Sequence, residues 1–182
     1  MFLMWRSPRS SSTAVASARW PTSSSSVPVD AWHLAQFNVA KIRYPLEDPR
    51  MAGFVDNLDR INTLGDESPG WVWRYSTDSG NSMDERIFDD PDIALNYTIW
   101  EDVDSLKDYT YRTVHKDFLR RRREWFVEMP EWPIVVLWWV PAGTIPPLTE
   151  AKARLLRLRD HGSSPDAFTF RETYPPPEQQ SA

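Results

Sequence analysis

The 182-residue chain contains no cysteine, which excludes disulfides, thiolate metal sites and cysteine nucleophiles and fits a reducing cytoplasm. It has only three histidines, widely spread, so a conventional zinc site is not expected. The densest apolar run, residues 134–140, has the length of a strand, whereas a membrane-spanning helix needs about 20 apolar residues. The net charge of −5 argues against nucleic acid or an anionic membrane as the main partner.

Several catalytic motifs are also missing from the sequence. There is no glycine-rich phosphate loop, no set of two histidines and one carboxylate, and no serine nucleophile motif. The arginine run at residues 120–123 would spread around a helix and form no stripe for nucleic acid. Tryptophan, by contrast, is abundant, with ten residues. So much indole predicts a large aromatic core, an aromatic-lined cavity, or both.

Composition divides the chain into three parts. Residues 1–29 are rich in serine and arginine and precede the first acidic residue, Asp30. Such a segment cannot bury enough apolar surface to offset its ordering entropy, so we interpret it as a disordered tail or as upstream sequence from a misplaced start codon. A transit peptide is the alternative. We expect residues 30–174 to form one domain and the proline-rich residues 175–182 to form a frayed tail.

Hydrophobic periodicity predicts the elements of the domain. Strands are predicted at residues 33–42, 71–75, 93–100, 133–140 and, last and shortest, 167–171. Helices are predicted from an Asp48 N-cap to near Gly65, over residues 103–129, and over residues 150–161 between a Thr149 N-cap and Gly162. Residues 76–91 are predicted to be a mobile hairpin loop. This β-α-β-β-α-β order is ferredoxin-like, with an extra C-terminal helix and strand, in the α+β class.

The fourth predicted strand is apolar on both sides, which predicts that both faces of the sheet are buried. The two helices of the ferredoxin-like unit cover one face. A second copy of the chain could cover the other, closing two sheets into a dimeric α+β barrel around a cavity. The alternative is that the extra helix and the last strand fold back over this face.

A set of short motifs carries a resemblance to a known family. The motifs are LAQFNVA at residues 34–40, DPRM at 48–51, SPGWVW at 68–73, WE at 100–101, YR at 111–112 through His115, RRREWF at 121–126, LWWVPAG at 137–143 and AFTFR at 167–171. Over roughly residues 32–172, the chain resembles a bacterial domain-of-unknown-function family of the dimeric α+β barrel superfamily. That superfamily includes antibiotic-biosynthesis and haem-degrading monooxygenases and stress-responsive barrel proteins. The resemblance implies a homodimer with an internal ligand cavity and monooxygenase-like activity.

His115 is the first candidate for chemistry. On one continuous helix it would lie at the edge of an aromatic stripe that also includes Tyr111 and Arg122. A histidine there could act as a general base or proton donor toward a cavity ligand, or it could be structural and bonded to a backbone carbonyl or a glutamate. In the haem-degrading relatives a helix histidine binds iron, so the resemblance adds an iron ligand as a third role if haem is bound. We otherwise expect no metal, so the cofactor is none or haem.

Polar side chains on two strands form the second candidate. Gln36 and Asn38 share one face of the first strand. Asn96, Thr98 and Trp100 share one face of the third. If both faces look into a cavity, they suit a flat, mostly apolar ligand held by a few polar groups. The resemblance implies that Asn38 could polarise a substrate or oxygen. The alternative is that these amides bond at a dimer seam or under a helix, while Trp73 either stacks on a ligand or packs in the core.

These observations give three functional hypotheses. The first is a monooxygenase-like enzyme acting on a hydrophobic organic molecule, with His115 as base and Asn38 as the orienting residue. The second is a non-redox ligand-binding protein, or an isomerase or cyclase with the same cavity. The third is a non-catalytic dimeric interaction module whose cavity is filled by tryptophan. The predicted ligand contacts are Gln36, Trp73, Asn96, Trp100, Tyr111 and Arg122.

Overall fold

The computed structural model describes residues 31–76, 87–113 and 115–177. The predicted tail at residues 1–29, most of the predicted loop at residues 76–91 and the last five residues lie outside this part. The strands are β1 (Trp32–Ile42), β2 (Trp71–Arg74), β3 (Ile93–Trp100), β4 (Phe126–Val127) and β5 (Val135–Pro141). The helices are α1 (Ala52–Val55), α2 (Leu58–Asp66), α3 (Val103–Arg112), α4 (His115–Arg121) and α5 (Leu148–His161), with 3-10 turns at Pro49–Met51 and Arg122–Glu124.

β1 lies in the middle of a curled antiparallel sheet. One edge of β1 pairs with β3, from Leu34 opposite Trp100 to Lys41 opposite Ile93. The other edge pairs with β5 along its first part and with β4 at Lys41 and Ile42. β2 pairs with the outer edge of β3. The α+β class predicted from the sequence is confirmed.

Alternation along the strands sends odd and even side chains to opposite faces of the sheet. On one face, Ala35, Phe37 and Val39 of β1 are buried in a cluster with Leu155 and Leu158 of α5, and we call it the α5 face. On the other, which we call the α3 face, Leu34 and Trp100 are buried together with Leu106 of α3. The sheet is therefore covered by helices on both faces.

Helix α5 covers the face of the sheet for which the sequence left two alternatives open. Ala151 and Leu155 are fully buried and Leu158 is 3% exposed, all against the α5 face. The sequence argument for a dimeric barrel was that a second sheet must cover this face. In the structure the extra helix of the same chain covers it, as the alternative proposed, whereas Phe168 of the predicted last strand packs on the α3 face.

The strand predictions agree closely with the structure. The predicted strand at residues 93–100 is confirmed with both ends in place, and those at 33–42, 71–75 and 133–140 are confirmed within two residues. Residues 167–171 form isolated bridges instead of a strand, chiefly between Phe168 and Leu137 on the outer edge of β5.

The predicted continuous helix over residues 103–129 is wrong. It is interrupted at Thr113, whose backbone is extended with φ −102° and ψ −178°. The Thr113 hydroxyl donates to the carbonyl of Tyr109 at 2.6 Å and accepts from the N–H of His115 at 3.2 Å. The Thr113 hydroxyl thus bonds both the end of α3 and the start of α4. Such side-chain bonds to the backbone compete with the backbone bonds that would continue the helix. Farther on, residues 126–127 pair with β1 as β4.

Two other helix ends differ in detail from the predictions. Asp48 does cap the first helical segment, accepting from the N–H of Arg50 at 2.9 Å, but the segment is split into a 3-10 turn, α1 and α2. The Thr149 cap is wrong because α5 begins at Leu148, where the carbonyl of Pro147 accepts from two backbone N–H groups of the first turn. Gly162 ends α5 as predicted, with φ +78°.

None of the helices in residues 31–76, 87–113 and 115–177 is long and apolar enough to cross a membrane.

Candidate functional site

A row of polar side chains crosses the otherwise apolar α3 face. It consists of Gln36 and Asn38 on β1 and Asn96, Thr98 and Trp100 on β3, and we call it the polar row. The pairing of β1 with β3 places Gln36 opposite Thr98 and Asn38 opposite Asn96. Side chains directly opposite on one face of a sheet are close enough to bond. The row therefore follows from the register of two central strands.

The indole N–H of Trp100 sets the direction of the hydrogen bonds in the polar row, because an indole nitrogen can only donate. It donates to the Thr98 hydroxyl at 2.9 Å, and that hydroxyl donates onward to Gln36 Oε1 at 2.8 Å. Gln36 accepts through its oxygen, so its nitrogen donates to Asn38 Oδ1 at 2.7 Å. The nitrogen of Asn96 donates to the same two oxygens, at 3.3 Å to Gln36 and 3.1 Å to Asn38.

The polar row has a closed end and an open end. Trp100 is 1% exposed and Gln36 and Thr98 are 6% exposed each, whereas Asn38 and Asn96 are half-buried. Within the described residues, Asn38 bonds only through its oxygen and Asn96 only through its nitrogen. The open end therefore presents the N–H donors of Asn38 beside the carbonyl acceptor of Asn96.

An aromatic stack extends from the closed end of the polar row. Tyr109 of α3 stacks on Trp100, with ring centroids 5.1 Å apart, and His115 contacts the ring of Tyr109 at 4.8 Å. The Tyr109 hydroxyl donates to the carbonyl of Ile61 on α2 at 3.4 Å. Burial raises the pKa of Tyr109 to about 12, so its hydroxyl stays protonated at neutral pH.

The tautomer of His115 follows from its one backbone partner. Nδ1 lies 3.3 Å from the carbonyl oxygen of Thr110, and a carbonyl can only accept, so Nδ1 carries the hydrogen. Burial lowers the pKa of His115, opposed by the bond to Thr110, so the ring is neutral at pH 7. A neutral ring with its hydrogen on Nδ1 has a lone pair on Nε2. Chemically, Nε2 is a base or a metal donor.

Two contacts at the junction of β2, β3 and α3 place Tyr109 above Trp100. Asp102 caps α3 by accepting from the N–H of Ser105 at 2.7 Å. The N–H of Glu101 donates to the carbonyl of Gly70 at 2.7 Å, which ties the end of β3 to the start of β2. Gly70 has φ +74°, and a Cβ there would lie 2.5 Å from the Cβ of Ser105, so only glycine fits.

Comparison with known proteins identifies the family. A family model described as a domain of unknown function, DUF3291, matches residues 33–182. The chain belongs to this family. None of the curated proteins matches it. The crystal structure of NE2512, a protein of unknown function from Nitrosomonas europaea, is similar at 11% identity, covering 65% of this chain and 98% of that one, with a TM-score of 0.43.

The fold of this DUF3291 domain gathers some of the predicted site residues. Gln36, Asn38, Asn96 and Trp100 all belong to the polar row. His115 is connected to the row only through the rings of Tyr109 and Trp100. In the described residues, no direct contact joins His115 and Asn38. The structure therefore gives no support for the two acting on one reacting atom.

Three predicted ligand contacts lie elsewhere. Trp73 lies on the α5 face, 5.2 Å from the ring of Tyr97. Tyr111 is 48% exposed and contacts Phe170, and Arg122 is exposed and donates to the carbonyl of Leu119. The aromatic stripe that grouped Tyr111 and Arg122 with His115 assumed a continuous helix, and the break at Thr113 removes that geometry.

Sequence reasoning missed Tyr109, which joins His115 to the polar row. The signal was present, because Tyr109 follows Leu106 by three residues on a helix capped by Asp102. Both side chains therefore face the sheet at the end of β3. The sequence placed Thr98 on the same face as Asn96 and Trp100, but Thr98 was not among the predicted ligand contacts.

No group of three or more histidine, cysteine, aspartate or glutamate side chains in the described parts of the DUF3291 domain could hold a metal ion. A haem, by contrast, could be held by one protein nitrogen. Nε2 of His115 has the right chemistry, because Nδ1–H is already bonded to a backbone carbonyl, a common arrangement for metal-binding histidines. Bound haem would supply oxygen activation.

Proposed function

We propose that this DUF3291 protein binds a small, flat, mostly apolar organic molecule at the open end of the polar row. The observation that carries the proposal is a pair of polar groups on an apolar face. The Asn38 N–H donors lie beside the Asn96 carbonyl, and neither is bonded to another described residue. A ligand with an adjacent carbonyl and N–H, such as a lactam, complements this pair. Small-molecule sites commonly combine apolar walls with a few polar groups of this kind.

The buried part of the polar row supports this assignment by fixing the amides before any ligand binds. Each amide orientation follows from the Trp100 N–H through Thr98 and Gln36. Reversing the Asn38 amide would turn its nitrogen toward the donating nitrogen of Gln36 and lose a 2.7 Å bond. Such preorganisation lowers the ordering cost of binding.

The binding proposal can be tested with a matched pair of probes. 2-Quinolone offers a carbonyl and an N–H side by side, whereas N-methyl-2-quinolone lacks the donor. We expect 2-quinolone to raise the melting temperature of the full chain and the N-methyl compound to do so less. Asn38→Asp keeps the acceptor oxygen but removes the donors, so it should abolish the stabilisation. Equal effects of both probes on wild-type and variant protein would refute the proposal.

The more specific form of the proposal is a monooxygenase-like reaction. An electron-rich substrate with an acidic CH₂ group would lose a proton to Nε2 of His115 and reduce oxygen itself, giving a ketone and one water per oxygen molecule. The support is the neutral tautomer of His115, which is available as a base at pH 7. The substrate would have to reach His115 past Tyr109.

Turnover and stability separate a catalytic from a structural histidine. We expect His115→Ala to abolish oxygen consumption with such a substrate, for example anthrone, while the melting temperature stays within a few degrees of wild type. Lost stability with retained turnover would assign His115 a structural role. A Soret band in the purified protein would indicate haem as the route to oxygen chemistry.

A second candidate, a non-catalytic interaction module, is favoured by the burial of tryptophan. Trp73 and Trp138 on the α5 face are 4% and 0% exposed, so indoles fill space on the face that a second sheet would cover. His115 contacts a backbone carbonyl, as a structural histidine would. This function predicts that neither quinolone binds and that no substrate is turned over.

The homodimer and a cytoplasmic location stay predictions. A dimer that closes two sheets would have to displace α5 from the α5 face, whereas a dimer through another surface would not. Light scattering of the full chain gives the mass, and amide exchange of α5 tells the two dimers apart. The mass of a single chain would refute the homodimer.

A further inference from the structure

A cleft lies at the outer edge of β5, near the end of that strand. It has a volume of about 440 Å³, within the range of small-ligand pockets. Its walls come from the start of β1, the end of β5, α5 and the turns on either side of α5. The apolar part of the lining includes Trp32, Trp139, Val140, Pro146 and Pro165. These residues are distinct from those of the polar row.

The backbone of Trp139 offers one donor and one acceptor at this edge. Leu137 exchanges two backbone bonds with Phe168, at 2.8 and 2.9 Å, so its N–H and C=O point away from β1. This outward direction recurs at every second residue of an antiparallel strand, so the N–H and C=O of Trp139 point outward too. Neither group is bonded to another described residue. We call these two groups of Trp139, which lines the cleft, the free edge.

Two features limit the free edge to a single residue. The tight turn of residues 164–167 ends the pairing that Phe168 begins, so it gives Trp139 no partner. Beyond Trp139, Pro141 has no N–H, and its carbonyl accepts from the N–H of Thr144 at 3.0 Å. An added chain would therefore form two backbone bonds to β5 here, both to Trp139.

We propose that the cleft binds a short extended peptide, one residue of which pairs with Trp139 as the next antiparallel partner along β5. The N–H of that residue donates to the Trp139 carbonyl, and its C=O accepts from the Trp139 N–H. Addition of a peptide to an open sheet edge is a recurring mode of recognition. The bonds between Leu137 and Phe168 show that this edge takes such a partner. The site is independent of the proposed function, because it uses none of the polar row.

The side chains of the cleft favour an apolar residue opposite Trp139. Residues directly opposite project to the same face of a sheet, so the ligand side chain would lie beside the Trp139 indole. The charged groups of the lining are already paired, because Arg154 lies 3.1 Å from Glu150 and 3.6 Å from Asp166. Asp166 also lies 3.5 Å from Arg157. An ionised ligand side chain would find no free countercharge among these groups and would cost more to desolvate than an apolar one.

Backbone amide resonances of the ¹⁵N-labelled full chain test this site directly. The probe is N-acetylvaline N-methylamide, a single residue between two peptide groups, and its control carries N-methylvaline, which keeps the carbonyl but lacks the N–H. We expect the probe to shift the Trp139 amide downfield at millimolar concentration. The control should bind at least about fivefold more weakly, the usual value of one hydrogen bond. The Leu137 amide, already bonded to Phe168, is the internal reference and should stay in place.

A pair of tryptophan variants tests whether the probe binds in the cleft. Thr144 lines the cleft and Thr149 does not, and both are exposed. Thr144→Trp should fill the cleft and abolish the response of the Trp139 amide, whereas Thr149→Trp adds the same bulk outside the cleft and should keep it. If Thr144→Trp fails to fold, the aspartate analogue of the probe provides a second test on the wild-type chain, because it should bind more weakly than the valine compound.

Four results would overturn the proposal. The first is a Trp139 amide that does not move at millimolar probe. The second is equal binding of the N-methylvaline control, which indicates apolar contact alone. The third is an unchanged response in Thr144→Trp. The fourth is a Trp139 shift that depends on protein concentration without any probe, which assigns the free edge to a second copy of the chain. The side-chain amide signals of Asn38 report the polar row separately, so failure at one site is distinguishable from failure at the other.

Discussion

At the scale of the residue, one indole nitrogen determines the chemistry of the polar row. Because Trp100 can only donate, Thr98 must accept and then donate onward, and the amides of Gln36 and Asn38 take the orientation that remains. A donor at Asn38 and an acceptor at Asn96 are the result at the open end. The hydroxyl of Thr98 is the link on which this sequence of bonds depends.

Replacing that hydroxyl tests the direction of the bonds. Thr98→Val keeps the shape of the side chain but removes the hydroxyl. The buried Trp100 N–H then loses its acceptor and Gln36 Oε1 loses a donor, so we expect the free energy of unfolding to fall by about 2–4 kcal/mol. Thr98→Ser retains the hydroxyl and loses only a methyl group, so about 1 kcal/mol is expected. Urea denaturation measures both. Equal losses for Val and Ser would mean that the hydroxyl carries no bond of consequence.

Two half-buried histidines, His115 and His33, predict a pH dependence of stability. Burial lowers the folded-state pKa of His115 and of His33 from the ordinary value of 6.5. Below pH 6.5 the unfolded chain then binds more protons than the folded one, so stability is full above this pH and falls as the pH drops. We expect His115→Gln to reduce the slope of the free energy of unfolding against pH between pH 7.5 and pH 5. Adding His33→Gln should reduce this slope further. An unchanged slope in the double variant would contradict this assignment.

At the scale of the element, short polar contacts decide where helices begin and end. Thr113 stops α3 and starts α4 through its hydroxyl, although apolar periodicity continues past it. Asp102 and Gly70 fix the start of α3 against the sheet. These contacts fix the start of the helix that places Tyr109 over Trp100.

Gly70 and Gly162 give a matched test of the junction. Both have positive φ, +74° and +78°, but a Cβ at Gly70 would collide with Ser105, whereas one at Gly162 would meet nothing within 4 Å. We expect Gly162→Ala to cost about 1 kcal/mol from backbone strain alone and Gly70→Ala to cost at least twice as much. Thermal unfolding of both variants checks this, and similar costs would show that the contact with Ser105 relaxes freely.

Neighbouring leucines on α5 test the helix as a cover of the sheet. Leu155 is fully buried and Leu156 is 40% exposed. Leu155→Ala should lower the free energy of unfolding by about 2–5 kcal/mol, the range for a buried leucine, and Leu156→Ala by less than about 1 kcal/mol. If the two variants were equally stable, α5 would not pack on the sheet as described.

At the scale of the whole molecule, one sheet has helices on both faces and a different character on each. The α5 face is aromatic and aliphatic, with Tyr97 at its centre, whereas the α3 face carries the polar row. Helices of the same chain cover both faces, and the open end of the polar row is the half-buried part of the α3 face. A dimeric barrel that closes on the α5 face would therefore have to displace α5.

Much of this architecture could be predicted from the sequence, because alternation along β1 and β3 is a local signal. Strand bounds follow from it directly, as does the face that Asn38 shares with Gln36 on β1. The pairing of β1 with β3 then places Asn96 opposite Asn38. The break at Thr113 could not be predicted by periodicity, because it depends on one hydroxyl that competes with the backbone. Either α5 or a second copy of the chain could have covered the α5 face. Which of them packs there depends on tertiary contacts, and no single segment of the sequence encodes those contacts.

The central claim is that the open end of the polar row binds a ligand through Asn38 and Asn96. The most direct measurement is a titration of the ¹⁵N-labelled full chain with 2-quinolone, monitored at the side-chain amide resonances of these two residues. The account predicts that both sets of signals shift saturably, that N-methyl-2-quinolone shifts them less, and that Asn38→Asp loses the response. Unmoved amide signals at saturating probe, or identical shifts from both probes, would contradict it.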